Sequence, residues 1–264
     1  MLIVNYPLSI YDLLIHNKYL YISLMIKGTI EICCNSLQSA LNAQLAGADR
    51  IELCTGLMEG GMTPSIGMIE EVVEQLRIPV YVLIRPRGGD FCYTDSEFKV
   101  MLRDIEWCKQ SGVKGIVSGV LNDDASINRE KTQLLMHAST PLDFTFHRAF
   151  DVVTDPMMTI QILKAIGCKR ILTSGGSAIA YNGKRFIKEF VNAAASEISI
   201  LSGGGVDEKN IQPLIRETGI REVHFSATAF IKSYNDKEFR QTTSQTDLER
   251  ATHLVQLARE AFVQ

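Results

Sequence analysis

No stretch of this sequence concentrates lysine and arginine, and its formal net charge is −3 over 264 residues. Binding to nucleic acid or to an anionic membrane needs a clustered basic face, so neither is expected as a partner. No CxxC pair occurs. The cysteines at Cys33, Cys34, Cys54, Cys92, Cys108 and Cys168 are spread through the chain. That spacing suggests neither a zinc ribbon nor a disulfide framework, and free thiols in a reducing cytoplasm account for it most simply. The apolar, aromatic start, MLIVNYPLSIYDLLIHNKYLYISLMIKG, has no basic n-region and no A-x-A cleavage site. Charged residues break it too often for a membrane span. Residues 1–24 are expected to lie outside the fold, with residues 25–264 forming a single domain. Internal repeats and low-complexity tracts are absent.

What is present is an alternation. Short apolar or β-branched runs occur at residues 29–33, 49–54, 79–84, 115–120, 142–146, 170–174, 198–202 and 222–226. Longer stretches with helical periodicity follow each of them. Ser36 is placed to cap a helix that ends at Gly47, and Thr63-Pro64 to open the next. Asp95 or Ser96, Asp155-Pro156, Asp207 and Ser244-x-x-Asp247 are further start signals. Eight strand–helix units with no linker predict a TIM-type (β/α)8 barrel. An open doubly wound sheet is the alternative, but the GxGxxG turn that would favour it is missing. The polar stretch 231–246 reads as a long loop that could cover the barrel mouth.

In such a barrel the strand C-termini build the site. Polar side chains gather there: Glu31, Cys33 and Asn35; Glu52 and Cys54; Arg85 and Arg87; His147, Arg148 and Asp151; Thr173 and Ser174; His224 and Ser226. Glu31 and Cys33 share one strand face, as do Glu52 and Cys54, and neighbouring strands lie about 4.8 Å apart. Like register would place Glu31 beside Glu52 and Cys33 beside Cys54. The two carboxylates would then face Arg85 and Arg148, with His147 among them, suited to acid/base work. A buried ion network that merely fills the barrel is the alternative.

Two glycine-rich turns follow strands six and seven, at Gly175-Gly176 and Gly203-Gly204-Gly205. The second leads towards a helix, a position suited to an anion such as phosphate. Tight turns needing positive φ are the alternative, but two such loops side by side favour the anion site. Arg85 and Arg87, in RPRGGDFCY, could grip a carboxylate or phosphate, or belong to a solvated loop. Cys33 and Cys54 could approach closely enough to hold soft Cu(I), with Met58 and Met62 as further thioethers. Buried free cysteine is more often packing, and that is the reading for Cys34.

The stretches EICCNSLQSALNAQLAGADRIELC, EGGMTPSIGMI, IRPRGGDFCYTDSEF, TFHRAFD, RILTSGG, GGGV and EVHFSA together resemble the CutC copper homeostasis protein family. The resemblance runs in order from Glu31 to Ala227. It implies a cytoplasmic TIM barrel, a homodimer or higher oligomer, and a Cu(I) site at the cysteines here numbered Cys33 and Cys54. Two functions are therefore expected in competition. One is copper homeostasis through those cysteines. The other is an enzyme acting on a small anionic or phosphorylated substrate. In that second case Glu31, Glu52 and His147 would move protons, and Arg85, Arg87, Arg148, Ser174, Gly175, Gly204, Gly205, His224 and Ser226 would bind the substrate.

Overall fold

The computed structural model describes residues 28–232 and 242–263. The expected extension at residues 1–24 lies outside the described residues. Eight parallel strands close into a barrel in sequence order. They are β1 (Thr29–Cys34), β2 (Arg50–Leu53), β3 (Val80–Leu83), β4 (Gly115–Ser118), β5 (Asp143–Phe146), β6 (Arg170–Thr173), β7 (Ser199–Gly203) and β8 (Glu222–Phe225). The helices are α1 (Leu37–Leu45), α2 (Ile66–Gln75), α3 (Asp95–Gln110), α4 (Arg129–Ser139), α5 (Pro156–Ala165), α6 (Lys184–Ala194), α7 (Ile211–Thr218) and α8 (Leu248–Val263). The (β/α)8 expectation is met.

The helix starts show where local chemistry decided. Ser36 caps α1 by accepting from Ser39 N–H, and Asp155 caps α5 ahead of Pro156. Three starts shift from expectation. Ser65, not Thr63, caps α2. Thr63 is instead stitched to the end of β3, its Oγ1 accepting from Arg85 N–H at 2.9 Å. Thr94 and Glu97 form a reciprocal capping box at α3, satisfying two N-terminal groups at once. Asp207 accepts from the amides of Lys209 and Asn210 in a turn, and α7 begins only at Ile211. The helix dipole of α7 therefore does not end at the glycine turn.

Side-chain alternation sends Ile30, Ile32, Cys34, Ile51, Leu53, Val82 and Ile116 outward under the helices, where they form the main apolar core. The barrel interior is different. It holds a small apolar cluster of Cys33, Cys54, Tyr81, Leu83 and Val117, beside a set of buried ionic groups. The stretch 231–246, expected as one polar loop, instead begins within β9 (Thr228–Lys232) and ends in β10 (Thr242–Thr246), which pair antiparallel. Thr228, Phe230 and Ser244 from these two strands reach the barrel mouth.

Candidate functional site

Register is the first correction. Glu31 pairs with Arg50, and Cys33 with Glu52. The β1–β2 pairing is thus offset by two residues from the expected one. Across the closing seam Glu31 pairs with His224. These offsets stack inward side chains in layers.

The lowest layer is a closed ion network. Arg50 bridges Glu31 and Glu222, and Arg170 holds Glu222 from the other side. The Tyr81 ring packs against both guanidiniums, whose carbons lie 5.1 and 5.4 Å from its centroid. Tyr81 Oη donates to Asp143. None of Arg50, Arg170 or Glu222 had been singled out from the sequence. Parity was the signal for two of them: a strand that points Glu52 or His224 inward points its i−2 neighbour, Arg50 or Glu222, inward too, whereas the i+2 neighbour of Arg170 is the apolar Leu172.

The middle layer holds His224, Glu31, Glu52 and the two inward thiols. His224 Nδ1 lies 2.7 Å from Glu31 Oε1, and Nε2 lies 3.8 Å from Glu52 Oε2. Burial alone would lower the His224 pKa, but Cys33 and the two carboxylates override it and hold the imidazole well above its ordinary value. Burial would raise the Glu31 pKa, yet Arg50 and His224 pull it far below the carboxylate range. Glu52 is raised by burial, against the pull of His224. Cys33 Sγ stands 3.5 Å from Cys54 Sγ. The contact with Cys54, then burial, pushes the Cys33 thiol well above its usual pKa. Ligand atoms of Cys33, Glu52 and His224 all lie within 4.8 Å of one another. Cys34 points into the outer core and takes no part.

Above these a cavity of about 400 Å³ opens at the strand C-termini. Cys33, Glu52 and His224 reach it from below, and Arg85, His147, Arg148, Gly204, Gly205 and Ser226 line it higher up. Apolar lining comes from Leu57, Leu83, Phe91, Leu172 and Phe225.

Several expected contacts are not made. His147 does not sit between Glu31 and Glu52. Its Nδ1 accepts from the Ala149 amide at 3.2 Å and its ring packs on Phe91. Burial, and then the charge of Arg85, push its pKa down to about 3. The ring is therefore neutral at physiological pH, with its proton on Nε2. Arg85 does not face the carboxylates either. Its terminal nitrogens donate to the carbonyls of Glu59, Gly61 and Gly89. Arg87 turns away, binding Glu97 and Asp90 and closing the β3–α3 loop. Glu31 lies beneath the cavity, sealed by Arg50 and His224. Arg148, on the short 3-10 turn after β5, is anchored through its Nε to Asp151 at 2.7 Å and through Nη2 to Ser174 Oγ at 2.8 Å. Ser174 is thus a support behind the wall. Gly175 is too: a Cβ there would come within 2.5 Å of the Gly183 carbonyl.

Fold and cavity together define a TIM barrel with a mouth lined by thiol, carboxylate and cationic groups. A sequence model of the CutC family matches residues 28–229, and the chain belongs to that family. It is 46% identical over 198 residues to the human "Copper homeostasis protein cutC homolog", covering 75% of this chain and 72% of that one. It is 47% identical over 210 residues to a CutC family protein of Bacteroides thetaiotaomicron, covering 79% and 84%. The CutC structure from Streptococcus agalactiae superposes with a TM-score of 0.72 at 36% identity, covering 75% of this chain and 98% of that one.

Proposed function

We propose that this CutC family chain serves copper homeostasis by binding Cu(I) through Cys33 and Cys54. The observation that carries the reading is the 3.5 Å approach of the two sulfurs at the floor of the mouth cavity. Thiolates are the ligands a soft monovalent ion prefers, and the donor set fits. A linear pair of bonds of about 2.3 Å, the zinc–thiolate length, would span about 4.6 Å. The shorter observed spacing suits a bent arrangement or a small outward rotation of Cys33, the sulfur that lines the cavity. Both Cys33 and Cys54 are unbridged, as are the other cysteines. A raised Cys33 pKa means that the thiol proton leaves when the ion enters.

Relatives named as copper homeostasis proteins support the same reading. The unbridged cysteines support a reducing, cytoplasmic location. No helix among the described residues is long and apolar enough to cross a membrane. A homodimer or higher oligomer completes the proposal, supported by exposed apolar side chains such as Met157, Met158 and Phe186 on α5 and α6. X-ray absorption on the Cu(I)-loaded, reduced protein tests the site. Sulfur scatterers in the first shell are expected. A shell of nitrogen and oxygen alone would refute the cysteine assignment.

A further inference from the structure

The upper cavity wall contains binding groups that the copper reading does not use. Arg85 is 5% exposed, yet no carboxylate lies within ion-pairing distance of it among the described residues. Its charge rests on three backbone carbonyls and on the face of Phe91, 5.1 Å away. His147, 4% exposed, packs against the same Phe91 in a tilted ring contact, centroids 4.9 Å apart. The Ala149 amide occupies its Nδ1, so Nε2 carries the hydrogen, and this buried Nε2–H has no acceptor. A buried donor without a partner is costly, and a buried cation without a counter-charge more so. Both groups line the cavity. Together they bring one unpartnered N–H and one uncompensated positive charge to the same cavity wall.

The wall formed by the loops after β5 and β7 is built differently. Asp151 and Ser174 hold two nitrogens of Arg148, leaving Nη1 beside Gly204. The amides of Gly204, Gly205 and Val206 have no acceptor among the described residues. Gly204 has φ +113°, Gly205 has φ +59°, and a Cβ on Gly204 would stand 3.5 Å from Arg148 Nη1. Consecutive free amides beside a fixed guanidinium match a group with several acceptor oxygens, namely a phosphate.

We propose that the cavity binds a small phosphate monoester that carries a carboxylate or carbonyl oxygen at its other end. The phosphate sits on Arg148 and the Gly204–Val206 amides. The second oxygen accepts from His147 Nε2–H beside Arg85. Leu57, Leu83 and Leu172 cover the carbon skeleton between them. The proposal does not depend on copper.

Calorimetry on the copper-free, reduced full chain tests it, with 3-phosphoglycerate, glycerol 3-phosphate, glycerate and inorganic phosphate as probes. 3-Phosphoglycerate is expected to bind about tenfold more tightly than any of the other three, each of which engages one end. Arg148→Met is expected to weaken 3-phosphoglycerate and glycerol 3-phosphate by about tenfold or more and to leave glycerate unchanged. His147→Phe is expected to lose the preference for the carboxylate, and His147→Gln, which restores an N–H, to recover part of it. The half-exposed Arg148 keeps the test decisive if His147 variants fail to fold. No binding of 3-phosphoglycerate at 10-millimolar order, or equal affinities for all four probes that Arg148→Met does not change, would overturn the proposal.

Discussion

Cys33 and Cys54 meet at 3.5 Å although they are not register partners. Cys33 lies opposite Glu52, and Cys54 stands one residue beyond β2, tied by its amide to the Cys34 carbonyl at 2.9 Å. The tilt of barrel strands converts this two-residue stagger into a lateral contact between inward side chains. The two thiols are therefore held by backbone pairing rather than by a flexible loop. A ligand pair on rigid elements keeps its spacing before the ion arrives.

The ion network beneath them sets the stability of the floor. Glu31→Gln leaves Arg50 and His224 without their shared carboxylate and is expected to cost roughly 3–5 kcal/mol at pH 7. The sign of the pH dependence follows from the two shifts. Glu31 is held below its ordinary 4.5, so its contribution is present above that pH and lost as pH falls through the lower folded value. His224 is held above its ordinary 6.5, so its contribution is full below that pH and lost as pH rises through the higher folded value. Urea unfolding at acid, neutral and alkaline pH checks this. The variant's deficit should be greatest between pH 4.5 and 6.5, the two ordinary values, and shrink towards both acid and alkali. A deficit constant across pH would contradict the network.

His147 is expected to stay neutral, with hydrogen on Nε2, throughout pH 5–8, because its pKa is pushed down to about 3. Its folded pKa lies below the unfolded one, so its contribution to stability is present above the unfolded pKa and lost as pH falls through the folded value. Long-range proton–nitrogen NMR of the imidazole reads the tautomer directly. A midpoint near 6.5, or hydrogen on Nδ1, would contradict the contact with the Ala149 amide.

The architecture was legible in the sequence because barrel strands are short apolar runs and each helix carries its own boundary chemistry. The strand bounds moved by a residue or two at most, as with 49–54 against Arg50–Leu53. The alternation of Glu31 with Cys33, and of Glu52 with Cys54, correctly turned all four inward. Register was not legible, because β2 could slide two residues without changing which face its side chains take. That slide moves Arg50 onto Glu31 and leaves Arg85 and His147 higher in the barrel, away from both acids. The α7 start was missed because Asp207 makes a side-chain turn that mimics a cap. The hairpin of β9 and β10 was hidden by threonine, serine and glutamine, which read as loop.

Gly175 and Gly183 pack backbone to backbone. A Cβ on Gly175 would meet the Gly183 carbonyl at 2.5 Å, and φ there is +69°. Gly175→Ala is expected to destabilise the chain by about 2 kcal/mol or more, since strain and clash add. It should also weaken the Ser174 support of Arg148. Thermal unfolding checks the first effect. A change within about 0.5 kcal/mol, the range of an ordinary surface substitution, would refute the close approach.

The most direct test of the copper reading is a Cu(I) titration of the reduced protein against a competing chromophoric chelator. Wild type and the Cys33→Ser, Cys54→Ser double variant are compared under anaerobic conditions. The account expects the wild type to take one equivalent from the chelator and the double variant to take none. Equal withdrawal by both proteins would contradict it and return the two cysteines to the packing of the barrel interior.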